Sequence, residues 1–190
     1  MPNKSQISGL NFQRHMFSTS HPALTKVAFL AADGTATFIG DAVTLTGTSD
    51  ADGVPAVKQY AVGDPIFGTV NSFVFDPADL NLKHRKASTL RYAYVIPNDG
   101  AIVYEVQEDS VGGALVAADV GLNAELIVGA GNVVTGLSAM QLDTSTKATT
   151  STLAVRILGL VQKPDNEFGN FAKVLVKINE AQLGHTTAGV

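Results

Sequence analysis

From Val27 onward, apolar and polar residues alternate with period two along most of the chain. Val43 and Leu45 alternate with Thr44 and Thr46, and Leu90, Tyr92, Tyr94 and Ile96 share one face against Arg91. Ile102, Tyr104 and Val106 oppose Glu105 and Gln107. Val120, Leu122, Ala124, Leu126 and Val128 line one side of the next run, with Asn123 and Glu125 on the other. Leu153, Val155 and Ile157 oppose Thr152 and Arg156, while Ala172, Val174, Val176 and Ile178 oppose Lys173, Lys177 and Asn179. Successive side chains of a strand point to opposite faces, so this pattern predicts half-buried strands with one face in a core and one in solvent.

The punctuation between the runs agrees. Asp33-Gly34, Asp50-Ala51-Asp52-Gly53, Asn98-Asp99-Gly100, Gly63-Asp64-Pro65 and Pro164-Asp165-Asn166 are turn sequences, rich in residues that tolerate or preset turn geometry. Asp76-Pro77-Ala78-Asp79 resembles a helix start, with room for about two turns before Lys86. The predicted fold is all-β: an antiparallel sandwich or barrel of short strands with very little helix. Residues 1–22 show no periodicity and end at His21-Pro22, which reads as an extended N-terminal arm whose order depends on what it contacts. Residues 23–190 then form a single β domain.

Composition sharpens this picture. A chain of 190 residues can build a real core without metal or disulfides. Only 16% of its residues are charged, well below the usual quarter, so Ser, Thr, Asn, Gln and Gly must cover much of the surface. Thirteen Lys and Arg against seventeen Asp and Glu give a net charge of -4. Coating a nucleic-acid duplex needs a dense basic face, so no direct nucleic-acid role is expected. The absence of cysteine excludes disulfides, thiolate metal sites and Cys nucleophiles. Met1 to Ser20 lacks the apolar segment of a signal peptide, and no stretch approaches the roughly 20 apolar residues of a membrane span, so no membrane association is expected.

Candidate chemistry is thin. Gly129-Ala130-Gly131-Asn132-Val133-Val134 imitates a dinucleotide loop, but Val134 stands at the third glycine position and no amphipathic helix follows, so a Gly-rich hairpin is expected. The Asp50 to Gly53 segment starts like a calcium loop, yet Ala61 stands where the bidentate Glu belongs. His15, His21, His84 and His185 are scattered, and residues 136–140 (GLSAM) lack the last glycine of a nucleophile elbow. No catalytic residue, cofactor or metal is assigned, and a non-enzymatic protein is expected. Tyr92, Tyr94 and Tyr104, and likewise Phe67, Phe73 and Phe75, alternate into apolar faces and read as core. The basic run Lys83-His84-Arg85-Lys86 is either a solvated loop or a docking patch for an acidic protein surface. Arg14 and His15 in the arm join these four as partner-binding candidates.

Several longer stretches carry a resemblance. They are residues 40–47 (GDAVTLTG) with 50–55 (DADGVP), 82–94 (LKHRKASTLRYAY), 118–125 (ADVGLNAE) and 136–143 (GLSAMQLD). The most specific is residues 156–169 (RILGLVQKPDNEFG). Together they resemble the structural cement proteins that decorate the capsids of tailed bacteriophages. The likeness runs from about residue 36 to 183 and leaves out the first twenty-odd residues. It implies a virion protein, made in the host cytoplasm, that binds the outer capsid surface across major capsid protein subunits and stabilises the mature shell. It also implies self-association, as a homotrimer around a local three-fold axis or a dimer at two-fold positions. No individual binding residue transfers from the family. Two other classes fit an all-β polar chain: a receptor- or carbohydrate-binding module of the virion, which would expose aromatic side chains, and a small hydrolase, which would show a deep pocket with a polar triad.

Overall fold

A computed structural model describes residues 3–183. His185 and the ends of both predicted segments lie outside the described residues. Eleven strands make up the described chain: β1 (Asn11–His15), β2 (Thr25–Phe29), β3 (Ala42–Ser49), β4 (Pro55–Gln59), β5 (Gly68–Phe73), β6 (Arg91–Pro97), β7 (Ile102–Gln107), β8 (Asn123–Ile127), β9 (Gln141–Ala148), β10 (Val155–Leu160) and β11 (Lys173–Ile178). The expected all-β class is therefore the observed one. The sole helical piece among the described residues is a 3-10 turn, Ala117–Asp119. The helix start expected at Asp76-Pro77 is absent. There the Asp76 and Asp79 carboxylates accept the backbone N–H groups of Ala78 and Asn81, and such local side-chain bonds hold turns in place of a helix.

The strands divide into a closed five-stranded barrel, in the order β2-β4-β3-β5-β6, and a six-stranded antiparallel sheet, β1-β7-β11-β10-β8-β9. The barrel is mixed, because β2 and β4 run parallel and meet only at Ala28 and Ala56. Its interior is filled by Val27, Phe29, Val43, Val57, Phe67, Val70, Ala93 and Val95. A second core joins the two units. Tyr60, Ile66 and Ile96 from the barrel side pack with Tyr104, Leu126, Met140, Val155 and Val176 of the sheet. Backbone bonds stitch the same seam, since Ile66 N–H donates to Glu180 and its carbonyl accepts from Gln182.

Alternation predicted β10 and β11 well. Val155, Ile157, Val174, Val176 and Ile178 are buried, while Arg156 is exposed. Strands β7 and β8 depart from it, because their polar faces are buried too. In β8, Tyr60 donates its phenol to Glu125, and Arg156 donates to Asn123 (3.1 Å). In β7, the reason is the N-terminal segment. Gln6 N–H donates to the Gln107 side-chain oxygen, and the Gln107 amide donates to the Lys4 carbonyl, both at 2.9 Å. Residues beyond it form β1, which pairs with β7 from Asn11 opposite Glu105 to His15 opposite Ile102. The crossing that lets the segment in is glycine-dependent. Gly9 (φ +70) and Gly40 (φ +91) approach so closely that a Cβ on Gly9 would lie 2.4 Å from the Gly40 carbonyl and 2.5 Å from the Ser138 Cβ.

Strand β6 has the predicted period with the opposite face inward. Arg91, Ala93 and Val95 are buried, Leu90 and Tyr94 are exposed, and Tyr92 is half-buried. Because β6 is apolar on both sides apart from Arg91, alternation could not choose the face. The structure buries the arginine and satisfies it with carbonyls. Arg91 donates to the carbonyls of Val74, Leu82 and His84.

Two tests follow from the buried polar groups. Arg85 is fully buried and directs all five N–H groups at oxygens of Leu30, Asp33, Thr35 and Thr89. Lysine offers three donors without the planar fork, so Arg85→Lys leaves buried carbonyls unpaired and lowers stability by about 3 kcal/mol in urea unfolding. A loss below about 1 kcal/mol would contradict that role. Asp41 is likewise buried, with one oxygen accepting from Phe38 N–H and the Gln59 amide at 2.8 Å each, and burial holds its carboxyl above the usual aspartate range. A raised folded-state pKa means that folding takes up a proton, so this group adds stability as pH falls through its folded pKa. Asp41→Asn therefore gains less melting temperature than the parent chain on acidification from neutral pH.

Candidate partner-binding surface

The six residues expected to bind a partner do not form one patch. Arg14 and His15 sit on the edge strand β1, with Arg14 exposed and His15 Nε2 2.8 Å from Asp99 Oδ2. Lys83, His84, Arg85 and Lys86 belong to the long segment between β5 and β6. Within that run the structure separates surface from interior. Arg85 is 0% exposed and clamps the segment to the Leu30 to Thr35 turn, so it is unable to meet a partner. His84 is nearly buried and stacks on Phe38, with ring centroids 5.0 Å apart. Burial first, and then the charges of Arg91 and Lys86, push its pKa down and favour the neutral ring. Only Lys83 and Lys86 reach solvent, and Lys86 lies 3.4 Å from Asp79. The run thus divides into a buried arginine, a nearly buried histidine and two exposed lysines. A folded chain buries an arginine readily when backbone carbonyls converge on it, and no local pattern announces that convergence.

The surface beside those lysines is apolar. Phe75 is 65% exposed, Leu80 66% and Leu90 53%, although periodicity had placed Phe75 in the core. Phe67 is buried and Phe73 partly so, but the strand ends at Phe73, and the chain then turns outward through Val74 and Phe75. Two shallow grooves flank the Phe75 ring. One, about 190 Å³, is bounded by Val74, Pro77, Leu90 and Tyr92. The other, about 260 Å³, is bounded by Leu80, Leu82, Lys83, Ile39 and Thr135. Thr135 belongs to the Gly-rich hairpin, which closes through Asn132 N–H to the Leu137 carbonyl and Gly136 N–H to the Asn132 carbonyl. Its tip presents Val133 and Val134, the latter 76% exposed. The hairpin is docked against Lys83, because a Cβ on Gly136 would lie 2.5 Å from the Lys83 Cβ. Phe75 and Leu80 thus line one groove with Lys83, Leu90 lines the groove on the other side of Phe75, and the segment that carries them is held by Arg85 and Arg91.

Single exposed apolar residues are ordinary, but a contiguous patch with a polar rim marks a contact surface. The other candidate chemistry is occupied locally. Asp50 accepts from Asp52 and Val54 N–H with one oxygen and from the Tyr92 phenol with the other, which lowers its pKa and closes the turn. Among the described residues, no three His, Asp or Glu side chains converge to hold a metal ion, and no helix is long and apolar enough to cross a membrane. If Phe75 and Leu80 serve contact and not packing, then Phe75→Asp with Leu80→Asp shifts the unfolding free energy by no more than about 0.5 kcal/mol. A markedly larger loss in a denaturant titration would return both side chains to the core. Comparison with protein-family models, with curated proteins and with solved structures finds no match for this chain.

Proposed function

We propose that this chain is a non-enzymatic decoration protein that binds the outside of a tailed-phage capsid across major capsid protein subunits and stabilises the mature shell. The observation that carries the contact surface is the exposed Phe75, flanked by Leu90 in one groove and by Leu80 and Lys83 in the other. The sequence resemblance supplies the partner. Its stretches fall on β3, on the arginine-anchored segment leading into β6, on β8, on the hairpin before β9, and on β10 with its following loop. They lie on the framework of the barrel and the sheet. Association around a local three-fold axis makes the contacts multivalent, so modest single interfaces dissociate slowly together. The free edge of β1 is poorly suited to strand addition, since the register slips between Phe12 and Arg14, and such bulges blunt edges. Flat apolar contact through the Phe75 surface is the favoured mode.

One observation favours a second reading, a carbohydrate- or receptor-binding module. Tyr94 is 39% exposed and lies near Tyr92 on the outer barrel wall. Tyr92 is a poor platform, because Lys26 covers its ring at 4.2 Å and Asp50 holds its hydroxyl at 2.7 Å. Glycan binding without capsid binding would establish this alternative.

The test mixes purified protein with expanded, undecorated capsids and measures co-sedimentation and capsid melting temperature. Decoration is expected to raise the melting temperature, and Phe75→Asp with Leu80→Asp to weaken binding by about tenfold or more. Lys83→Glu is expected to change the salt dependence of binding. Absence of association at every salt concentration overturns the proposal.

A further inference from the structure

A second feature lies on the sheet, where residues 3–6 meet the loop between β10 and β11. Residues 3–6 and the loop between β10 and β11 form two facing walls, each fixed by a side-chain amide. Asn3 donates to the carbonyls of Glu167 (2.8 Å) and Asn170 (2.9 Å) and accepts from Glu167 N–H (3.0 Å). Asn166 donates to the carbonyls of Val161 and Lys173 and accepts from Lys173 N–H, all at 2.8 Å. Between the walls is a cleft of about 190 Å³ lined by Lys4, Lys163, Lys173 and Asp165.

The charges in this cleft do not balance. Glu105 is nearly buried beside it, 2.9 Å from Lys163 Nζ and 3.6 Å from Lys173 Nζ, and it also accepts from the Gln13 amide at 3.1 Å. Each ammonium carries three donors, so one carboxylate positions two lysines and leaves most of their N–H groups directed elsewhere. The Lys4 ammonium forms no ion pair among the described residues. Three lysines line the cleft against one carboxylate of its lining, Asp165, and one beside it, Glu105, a local surplus of positive charge on a chain whose net charge is -4. A preset cradle of ammonium donors with a carboxylate beneath it suits a small, strongly accepting anion.

We propose that this cleft binds an oxyanion, a carboxylate or phosphate group, through Lys4, Lys163 and Lys173. The site stands independently of the decoration reading, because its evidence lies wholly within the isolated chain. The anion comes either from an acidic peptide segment or from free phosphate, and the experiment separates these sources.

The intact protein is titrated calorimetrically with sodium phosphate and with hexaglutamate, and is melted in phosphate and in chloride at equal ionic strength. A saturable site is expected, with a higher melting temperature in phosphate than in chloride. Tighter binding of hexaglutamate assigns the site to acidic peptide, and tighter binding of phosphate assigns it to the free ion. Lys4→Gln is expected to weaken binding about threefold while leaving the melting temperature without ligand unchanged. Lys4→Gln with Lys163→Gln is expected to abolish it. Equal melting in the two salts with no heat from either ligand overturns the proposal, as does undiminished binding by the double variant.

Discussion

The Arg85 guanidinium is the constraint on which the outer surface depends. It directs five N–H groups at the turn around Leu30 to Thr35 and at the Thr89 carbonyl, with Asp33 as its carboxylate partner. Such a buried cation is tolerated because every donor is matched, and removing it would leave several buried carbonyls unpaired at once. Arg91 repeats the device on Val74, Leu82 and His84. Between them, two arginines hold a seventeen-residue excursion from the barrel, residues 74–90, that has no regular secondary structure of its own. With that excursion fixed, Phe75, Leu80 and Leu90 can face solvent in a defined arrangement instead of collapsing onto the barrel.

The two β units share one apolar core and a set of hydrogen bonds across the seam. Tyr60 reaches Glu125 across the seam, and burial followed by that carboxylate pushes the phenol far above its ordinary range. Glu180 lies close enough to Glu125 that desolvation and like charge raise its pKa as well. The N-terminal segment contributes the sheet's outer cover. It threads the Gly9–Gly40 crossing, seals the polar face of β7 and ends as an edge strand. A stretch without periodicity can still be ordered when its amides have specific partners, and Asn3, Gln6 and Gln107 provide them.

Much of the fold was legible because burial follows the pleat where one sheet face meets solvent. β10 and β11 show this directly, with Val155, Val174 and Val176 inside and Arg156 outside. Legibility failed where both faces were eligible for burial. Glu105 and Gln107 lie inside because a remote segment covers them, and in β6 an arginine went inward while Leu90 and Tyr94 went out. The contact surface was hidden for a related reason. Lys83 to Lys86 looks like a continuous basic patch, yet the fates of its neighbours are set by carbonyls up to fifty-five residues away, such as that of Leu30. Phe75 shares a parity with Phe73, but the strand stops between them. The lysine cleft had no local signal either, since Lys4, Lys163 and Lys173 converge only in the folded sheet.

The proposed capsid contact is the apolar surface held by Arg85 and Arg91, in which Lys83 is the member of the basic run that takes part. Hydrogen–deuterium exchange on free and capsid-bound protein tests it directly, because it maps the contact without altering the chain. Protection on binding is expected across residues 74–90 and the 132–136 hairpin, with little change along β10. Protection confined to β1, or to the sheet face away from the barrel excursion, would contradict it.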